Sequence, residues 1–254
     1  MSQLSYNLDG KVFVVTGGSR GIGFEIAKHL LDQNARVVIC ARKSDGLDAA
    51  VSVLNAGDDR LLALPAHVAR EAEVEQLFDT TVSKFGQLDG LINNVGMNIV
   101  SNLVDAEPAL WQKIIDSNLS GTFLCARKAA RVMRDRKMGK IVSISSVAAR
   151  RASPAMGIYG IAKAGIEMMT KVLASELSAF NIQVNAVAPG MVKTDFSKPF
   201  WSNPELHDQI VKTIPMGRIA DPSEIVHPVL FLCSEGAGFI TGQTIVVDGG
   251  ATAI

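Results

Sequence analysis

The sequence predicts a single doubly wound α/β domain over residues 1–254, with about seven parallel strands and helices on both faces of the sheet. Short β-branched apolar runs alternate along the chain with amphipathic stretches of helical period. With 254 residues, 48% of them apolar, the chain is long enough to bury both faces of such a sheet. No repeat, low-complexity segment or linker divides the sequence.

Seven runs have the length and composition of buried strands. In chain order they are residues 11–16, 36–40, 61–64, 88–93, 140–145, 182–187 and 244–247. Amphipathic stretches between them predict helices over residues 21–33, 71–85, 111–136, 156–180 and 222–233. This alternation is typical of right-handed βαβ units that build a parallel sheet.

Composition excludes several classes of protein. The 25 basic and 25 acidic side chains give zero net charge, which argues against binding to nucleic acid or to an anionic membrane. No run approaches the ~18 apolar residues of a membrane span, and the start lacks a signal-peptide pattern. Cys40, Cys125 and Cys233 lie far apart, which argues against disulfides and a metal site. We expect a soluble cytoplasmic protein.

Residues 189–219 interrupt the alternation of strands and helices. This segment holds four prolines, and Phe196, Phe200 and Trp201 lie within six positions of one another. A long loop in a compact domain usually serves function, so we expect a substrate lid. The alternative is a surface excursion with its own small apolar cluster.

A glycine-rich loop, TGGSRGIG at residues 16–23, follows the first predicted strand directly. Its glycines let the backbone turn tightly and approach a pyrophosphate, and the next helix supplies free N–H groups. A strand-to-helix turn also needs glycine for geometry alone. The position between the first strand and the first helix favours nucleotide binding.

The end of the second predicted strand indicates which dinucleotide is bound. An NAD-binding chain carries an acidic residue about 20 residues beyond the loop, bonded to the ribose 2′-hydroxyl. Here Ala41 stands at that position, Arg42 and Lys43 follow, and Arg20 lies in the loop. Together these cations suit the 2′-phosphate of NADP(H). Any one of them alone is equally compatible with a solvated surface position.

Tyr159 and Lys163 stand four residues apart, on one face of a predicted helix. A tyrosine titrates near ~10, and a cation one turn away favours the phenolate, so we expect Lys163 to lower the pKa of Tyr159. That would prepare the phenol for proton exchange near neutral pH. Ser146 lies thirteen residues before Tyr159, at the end of the fifth strand, and Asn118 lies further upstream.

From about residue 8 to 250 the chain resembles the classical short-chain dehydrogenase/reductase family. The motifs occur in the family's order: TGGSRGIG at 16–23, NNVG at 93–96, Asn118, Ser146, Tyr159 with Lys163, and PGMVKT at 189–194. The resemblance implies a Rossmann-type fold and hydride transfer between NADP(H) and a ketone or aldehyde and its alcohol. We expect carbonyl reduction to be favoured.

The resemblance also implies roles for the four polar residues. Tyr159 would be the general acid/base, and Ser146 would hold the carbonyl oxygen. Lys163 would bind the nicotinamide ribose and lower the pKa of Tyr159. Asn118 would organise a water molecule leading from Lys163 to solvent.

A set of cofactor-binding residues follows from the same resemblance. These are Gly17, Ser19, Arg20, Gly21, Ile22, Gly23, Arg42, Lys43, His67, Val68, Asn94, Gly96, Tyr159, Lys163, Pro189, Val192 and Thr194. The sequence departs from the family twice here. His67 stands where the family has an Asp that contacts adenine, and Val95 replaces the small Ala of the NNAG motif. His67 either contacts the adenine or is an ordinary strand-end histidine.

Several segments are most similar to NADPH-dependent carbonyl reductases of the peroxisomal retinal/dicarbonyl-reductase type. They are GIGF at 21–24, ARK at 41–43, HV at 67–68, KTDFSKPFW at 193–201 and FLCSEGAGFITGQ at 231–243. That group typically ends in a peroxisomal tripeptide, whereas this sequence ends Ala-Thr-Ala-Ile. A cytoplasmic location is therefore expected.

The expected substrate is a small carbonyl compound or alcohol in an apolar, permissive pocket. Its lining is expected to include Met97, Ile99, Ser146, Met156, Tyr159, Phe196, Phe200 and Trp201. Alternatively, the aromatic residues only pack the lid onto the core. The resemblance also implies a homotetramer built through the long helices and the C-terminal strand.

Two other functions remain alternatives. A 3-oxoacyl-(acyl-carrier-protein) reductase could dock its acidic carrier on a run of basic residues, unless that run is only a solvated helix face. The run comprises Arg127, Lys128, Arg131, Arg134, Arg136, Lys137 and Lys140. A non-catalytic NADP-binding sensor is the alternative from another class, and the presence of all four polar residues of the family's site argues against it.

Overall fold

The computed structural model describes residues 5–154 and 156–253. Residues 1–4 and 254, which the predicted domain includes, lie outside the described part. The expectation about a signal peptide at the N-terminus and the one about the C-terminal residues therefore rest in part on positions outside the described part.

Seven parallel strands form one sheet, as the sequence predicts. They are β1 Val12–Thr16, β2 Arg36–Ala41, β3 Leu61–Pro65, β4 Gly90–Asn93, β5 Gly139–Ile144, β6 Ile182–Pro189 and β7 Thr244–Val247. Their order across the sheet is β3-β2-β1-β4-β5-β6-β7. The predicted α/β fold class with a doubly wound parallel sheet is confirmed.

Helices fill the connections between the strands. They are α1 Gly21–Asp32, α2 Ser44–Leu54, α3 Glu71–Phe85, α4 Pro108–Ile115, α5 Gly121–Arg136, α6 Gly157–Leu177, α7 Lys198–Trp201, α8 Pro204–Lys212 and α9 Ser223–Cys233. Within the described residues, no helix has both the length and the apolar character needed to cross a membrane.

The sheet separates two apolar cores, because alternate residues of each strand point to opposite faces. On β1, Phe13 and Val15 pack in the core that contains α1 and α9. Val12 and Val14 pack in the core that contains α3 and α5. Burial of both faces explains why the strands read as nearly continuous apolar runs.

Three segments differ from the expectation. The sequence pattern does not predict helix α2, because only Leu47 and Ala50 of this helix are buried. The stretch 111–136 contains a π-helical turn, Asp116–Ser120, which joins α4 to α5. Residues 189–219 hold two helices, α7 and α8, so the segment is not a plain loop.

The strand order reverses between β1 and β4, which are neighbours although two strands separate them in the chain. The connections that follow β1 and β4 therefore run in opposite directions across the sheet. This divergence opens a crevice at the carboxyl ends of the central strands, where α/β sheets bind ligands.

Candidate active site

A cleft of about 460 Å³ lies at the carboxyl ends of the strands. Many of the predicted site residues line it: Gly17, Ser19, Arg20, Gly21, Ile22, Arg42, His67, Val68, Asn94, Gly96, Met97, Tyr159, Lys163, Thr194 and Phe196. The other predicted residues lie outside the lining, and they are Gly23, Lys43, Ile99, Asn118, Ser146, Met156, Pro189, Val192, Phe200 and Trp201.

The glycine loop runs from β1 into α1 along one wall of the cleft. Gly17 and Gly21 have φ values of +67° and +58°, which residues with a side chain rarely adopt. A Cβ at Gly23 would collide with the carbonyl group of Gly17 and the side chain of Asn94. The loop thus keeps the backbone close to the N-terminus of α1, whose N–H groups attract anions.

Asn94 braces this loop from the neighbouring strand. Its Nδ2 donates to the carbonyl oxygens of Thr16 and Gly17, at 3.1 and 3.2 Å. In return, the Thr16 hydroxyl accepts the backbone N–H groups of Asn94 and Val95, at 3.0 and 3.3 Å. The NNVG motif therefore holds the loop in shape while it also borders the cleft.

Two of the three predicted cations face the cleft. Arg20 and Arg42 line it together with Ala41, whereas Lys43 is exposed beyond it at the start of α2. Arg20 also lies 3.9 Å from Asp195, between side chains that are 75% and 69% exposed. An ion pair this exposed contributes little to stability and leaves Arg20 free to bind an anion.

His67 presents a defined edge to the cleft. Its Nδ1 accepts the backbone N–H of Ala69 at 3.2 Å, and its own backbone N–H donates to Glu73 at 2.6 Å. A neutral histidine whose Nδ1 accepts carries its proton on Nε2. Where the family has an acidic acceptor, this chain therefore has an imidazole fixed by its backbone.

Tyr159 lines the cleft, and Ser146 lies near it, just after β5. The Ser146 hydroxyl is close enough to the Tyr159 phenol to lower its pKa. Tyr159 lies in the first turn of α6 and is 7% exposed. The ring of Phe196 lies 5.9 Å from the Tyr159 ring and shields it from the side of the 189–219 segment.

Lys163 lies one helical turn beyond Tyr159. It is 2% exposed, and its Nζ donates to the carbonyl oxygen of Ile144 at 2.8 Å. The same Nζ lies 5.5 Å from the centroid of the Tyr159 ring. The ammonium is therefore held between the end of β5 and the phenol.

Asn118 lies in the π-helical turn and is fully buried. Its Nδ2 donates to the carbonyl oxygens of Met97 and Ile114, both at 2.8 Å, and its Oδ1 accepts the Met97 N–H at 3.3 Å. A Cβ added at Gly96 would lie 3.0 Å from Asn118 Oδ1 and 3.4 Å from Lys163 Nζ. Gly96 thus keeps a space open between Asn118 and Lys163.

The electrostatics of Tyr159 differ from the expectation. Burial raises the pKa of Tyr159 to about 12, and the hydrogen bond to Ser146 opposes that rise. Burial also lowers the pKa of Lys163 to about 8. The expected lowering of the Tyr159 pKa by Lys163 is wrong for this structure, because removing both groups from water favours their neutral forms.

At the start of the 189–219 segment, several hydrogen bonds form a network around Ser197. The Ser197 hydroxyl bonds the carbonyl oxygen of Val192 and accepts the Thr194 N–H at 3.1 Å. The indole N–H of Trp201 donates to the Thr194 carbonyl at 3.1 Å, and Lys193 Nζ lies 5.4 Å from the indole centroid. Trp201 therefore belongs to this hydrogen-bond network and does not line the cleft.

Sequence reasoning missed several residues that line the cleft, namely Asn98, Ser117, Ile144 and Asp195. No motif marks them: Asn98 and Asp195 lie in connecting segments, Ser117 lies in the π-helical turn, and Ile144 is the last residue of β5. Asp195 alone carried a signal, because it directly follows Thr194 in the PGMVKT-D sequence.

The buried ammonium of Lys163 predicts a pH dependence of stability. Between about pH 8 and the ordinary lysine pKa of 10.5, the unfolded chain binds more protons at this group than the folded chain does. The contribution of Lys163 to the free energy of unfolding should therefore rise with pH across that window. In urea titrations, we expect the free energy of unfolding of wild type to increase with pH relative to that of Lys163→Met.

The matched control is Lys171→Met, which removes an exposed lysine from the same helix. Its difference from wild type should stay constant over the same pH range. If the difference in free energy of unfolding between wild type and Lys163→Met were also constant over this pH range, burial would not lower the pKa of Lys163.

Sequence and structure both match known proteins. Residues 17–252 match the family described as enoyl-(acyl carrier protein) reductase. The chain is 38% identical over 245 residues to dehydrogenase/reductase SDR family member 4 of Bos taurus, covering 96% of this chain and 88% of that protein. It is 39% identical over 245 residues to a 3-oxoacyl-(acyl-carrier-protein) reductase of Synechocystis, covering 96% and 97%.

A solved structure agrees over the whole length. The crystal structure of a candidate gluconate dehydrogenase from Agrobacterium tumefaciens matches with a TM-score of 0.94 and 32% identity, covering 99% of this chain and 100% of that one. The match to the family over most of the chain and the similarity to these relatives confirm the resemblance read from the motifs. The chain belongs to the short-chain dehydrogenase/reductase family and is an oxidoreductase that uses a nicotinamide cofactor.

Proposed function

We propose that this chain is an NADP(H)-dependent carbonyl reductase, built as a single domain, that converts small ketones and aldehydes to alcohols. One observation carries the proposal. Tyr159, with the Ser146 hydroxyl nearby, lines the same cleft as the glycine loop. A proton donor and an anion-binding loop in one cleft are what reduction of a carbonyl by a dinucleotide requires.

Tyr159 donates the proton to the substrate oxygen. A phenol whose pKa is about 12 is fully protonated at neutral pH, which suits an acid better than a base. The Ser146 hydroxyl lies near the phenol and lowers its pKa, so we place it at the same substrate oxygen. Two donors aimed at one oxygen stabilise the negative charge that develops there.

Lys163 and Asn118 support this proton transfer. Lys163 Nζ is fixed by the Ile144 carbonyl and has a pKa of about 8, so it exchanges a proton readily near neutral pH. The space that Gly96 leaves open between Lys163 and Asn118 suits a bound water molecule. Through such a water, solvent would replace the proton that Tyr159 gives up.

The cleft fits the cofactor. Gly17 and Gly21 hold conformations that bring backbone N–H groups to the N-terminus of α1, ready for a pyrophosphate. Ser19, Ile22, Val68 and Asn94 border the same wall. When bound, the nicotinamide supplies the hydride. Thr194 lies beside Gly21, with its methyl carbon 3.4 Å from an ideal Cβ there, and so borders the route between the loop and Tyr159.

The preference for NADP(H) rests on charge. Of the three cations predicted from the sequence, Arg20 and Arg42 face the cleft, and Ala41 stands where an NAD-binding chain carries a carboxylate. Two guanidinium groups suit the 2′-phosphate. The exposed Asp195 offers Arg20 a weak partner that a phosphate can displace.

The substrate is a small, apolar carbonyl compound. Met97 and Phe196 line the cleft together with Tyr159, and Phe196 is 45% exposed although it packs on the Tyr159 ring. Methionine and phenylalanine favour adaptable apolar contacts over binding of charged groups. We infer that residues 189–219 act as a lid that carries Phe196 over the substrate.

Reduction of a 3-oxoacyl group on a carrier protein is the second candidate, favoured by the 39% identity to the Synechocystis enzyme. The basic run on α5 gives it little support. Arg127 is ion-paired with Glu71, Lys128 with Glu75 and Asp79, and Arg136 with Asp89. Comparing turnover of a small ketone and of an acetoacetyl-carrier protein would separate the two functions.

We propose a homotetramer in the cytoplasm. The outer faces of α5 and α6 expose large apolar side chains, among them Phe123, Met168 and Val172, which are 45–59% exposed. Isolated chains rarely leave such side chains in water along two adjacent helices. All three cysteines are free and buried, which suits a reducing compartment.

The role of Tyr159 is tested by Tyr159→Phe, which keeps the ring and removes the proton donor. We expect kcat with NADPH and a simple ketone to fall by ~10²–10⁴ while NADPH still binds, measured by its fluorescence. Tyr6→Phe removes the other tyrosine of the chain and should leave kcat unchanged. Near-normal turnover by Tyr159→Phe would refute the proposed chemistry.

The cofactor assignment is tested by Arg42→Ala. Loss of a charge-assisted contact to the 2′-phosphate should raise the KM for NADPH roughly 10- to 100-fold and leave the KM for NADH nearly unchanged. Arg36→Ala removes an exposed arginine from the other end of β2 and serves as the control for net charge. Equal losses with both cofactors would defeat the assignment.

The lid inference is tested by comparing Phe196→Ala with Trp201→Phe. Phe196→Ala removes apolar area at the cleft, so the KM should rise more for a phenyl ketone than for a short aliphatic ketone. Trp201→Phe removes the hydrogen bond to Thr194 and should affect both substrates alike. A Phe196→Ala enzyme that treats both ketones alike would show that Phe196 only packs the lid.

A further inference from the structure

A third polar residue continues the row formed by Tyr159 and Lys163 on α6. Glu167 lies one turn beyond Lys163, so the three residues share one face of the helix at spacings of four. Its side chain is only 14% exposed, although it carries a carboxylate. A buried charge is retained only where it has partners, so its contacts need an explanation.

The three residues of this row each approach one of three consecutive residues at the end of β5. Tyr159 lies near the hydroxyl of Ser146, and Lys163 Nζ donates to the carbonyl oxygen of Ile144 at 2.8 Å. Ser145 lies between them, and its hydroxyl donates to Glu167 Oε1 at 3.1 Å, with the Lys163 carbonyl 3.3 Å away. Glu167 therefore completes a set of bonds between one helix face and one strand end.

Ser145 is a rigid point of attachment. It is 2% exposed, and its backbone N–H donates to Val187 of β6 at 2.7 Å, which fixes it in the sheet. On the other side, Arg150 Nε lies 3.2 Å from both carboxylate oxygens of Glu167. The short 3-10 turn Val147–Ala149 lies between Ser145 and Arg150, so Glu167 contacts a residue on each side of that turn.

We propose that Glu167 is a positioning residue for the reaction: through Ser145 and Arg150 it fixes α6 against the end of β5 and so sets the distance between Ser146 and Tyr159. Without the carboxylate, the helix would be joined to this strand end by Tyr159 and Lys163 themselves. The reacting groups would then carry the positional constraint as well as the chemistry. Small displacements of such groups slow catalysis strongly.

The proposal is tested first by a signal that does not depend on activity. The chain has two tyrosines, so Tyr6→Phe leaves Tyr159 as the single resonance in protein labelled with ¹³Cζ-tyrosine. Ser146→Ala gives the shift caused by removing the Ser146 hydroxyl from beside Tyr159. We expect Glu167→Ala and Ser145→Ala to move the resonance toward the Ser146→Ala position at neutral pH.

Two variants are expected to leave the resonance near its wild-type position. Glu167→Gln keeps an oxygen that accepts from Ser145. Glu176→Ala removes an exposed carboxylate from the same helix and is the matched control. If Glu167→Ala does not fold, Ser145→Ala carries the test, because it keeps the pair between Arg150 and Glu167.

Kinetics provide the second measurement, which rests on the proposed function. Glu167→Ala should lower kcat roughly 10- to 100-fold with the KM for NADPH unchanged, and Ser145→Ala/Glu167→Ala should be no slower than the worse single variant. A resonance and kcat that match those of Glu176→Ala would overturn the proposal. If wild type does not reduce carbonyl compounds at all, the proposed function fails, and the resonance still decides the role of Glu167.

Discussion

The site depends on one constraint, which is that a parallel sheet with both faces buried presents its polar groups at its edge. The strands of this sheet all run in one direction, so their carboxyl ends lie together. The reversal of strand order between β1 and β4 opens that edge into a cleft. The glycine loop after β1 and Ile144 at the end of β5 therefore border one crevice, although more than 100 residues separate them in the chain.

Burial gives the proposed proton donor its character. Tyr159 and Lys163 are both removed from water, and each is driven toward its neutral form. At the phenol, Ser146 opposes this effect in part. The Lys163 ammonium donates to the Ile144 carbonyl at 2.8 Å. The arrangement suits an acid that gives a proton to a substrate oxygen and a lysine that exchanges protons with its surroundings near neutral pH.

Hydrogen bonds between side chain and backbone set the shape of the cleft on both sides. Asn94 and Thr16 brace the glycine loop, and Ser197 and Trp201 brace the start of the 189–219 segment. Each brace satisfies backbone groups that no strand or helix pairs, which is costly to omit in a buried loop. These side chains thus fix the backbone that borders the cleft, and Asn94 itself also lines it.

The sequence by itself determined the fold class, the seven strands and the set of candidate polar residues, because buried parallel strands and nucleotide-binding turns leave local patterns. Only the tertiary structure decided which of those residues face the cleft: Arg42 does and Lys43 does not, and Phe196 does whereas Trp201 is tied to Thr194. It also decided that the pKa of Tyr159 is raised and that Glu167 contacts Ser145. The physical reason is that burial and long-range contacts depend on every element packed around a residue, whereas a sequence pattern reports only its neighbours in the chain.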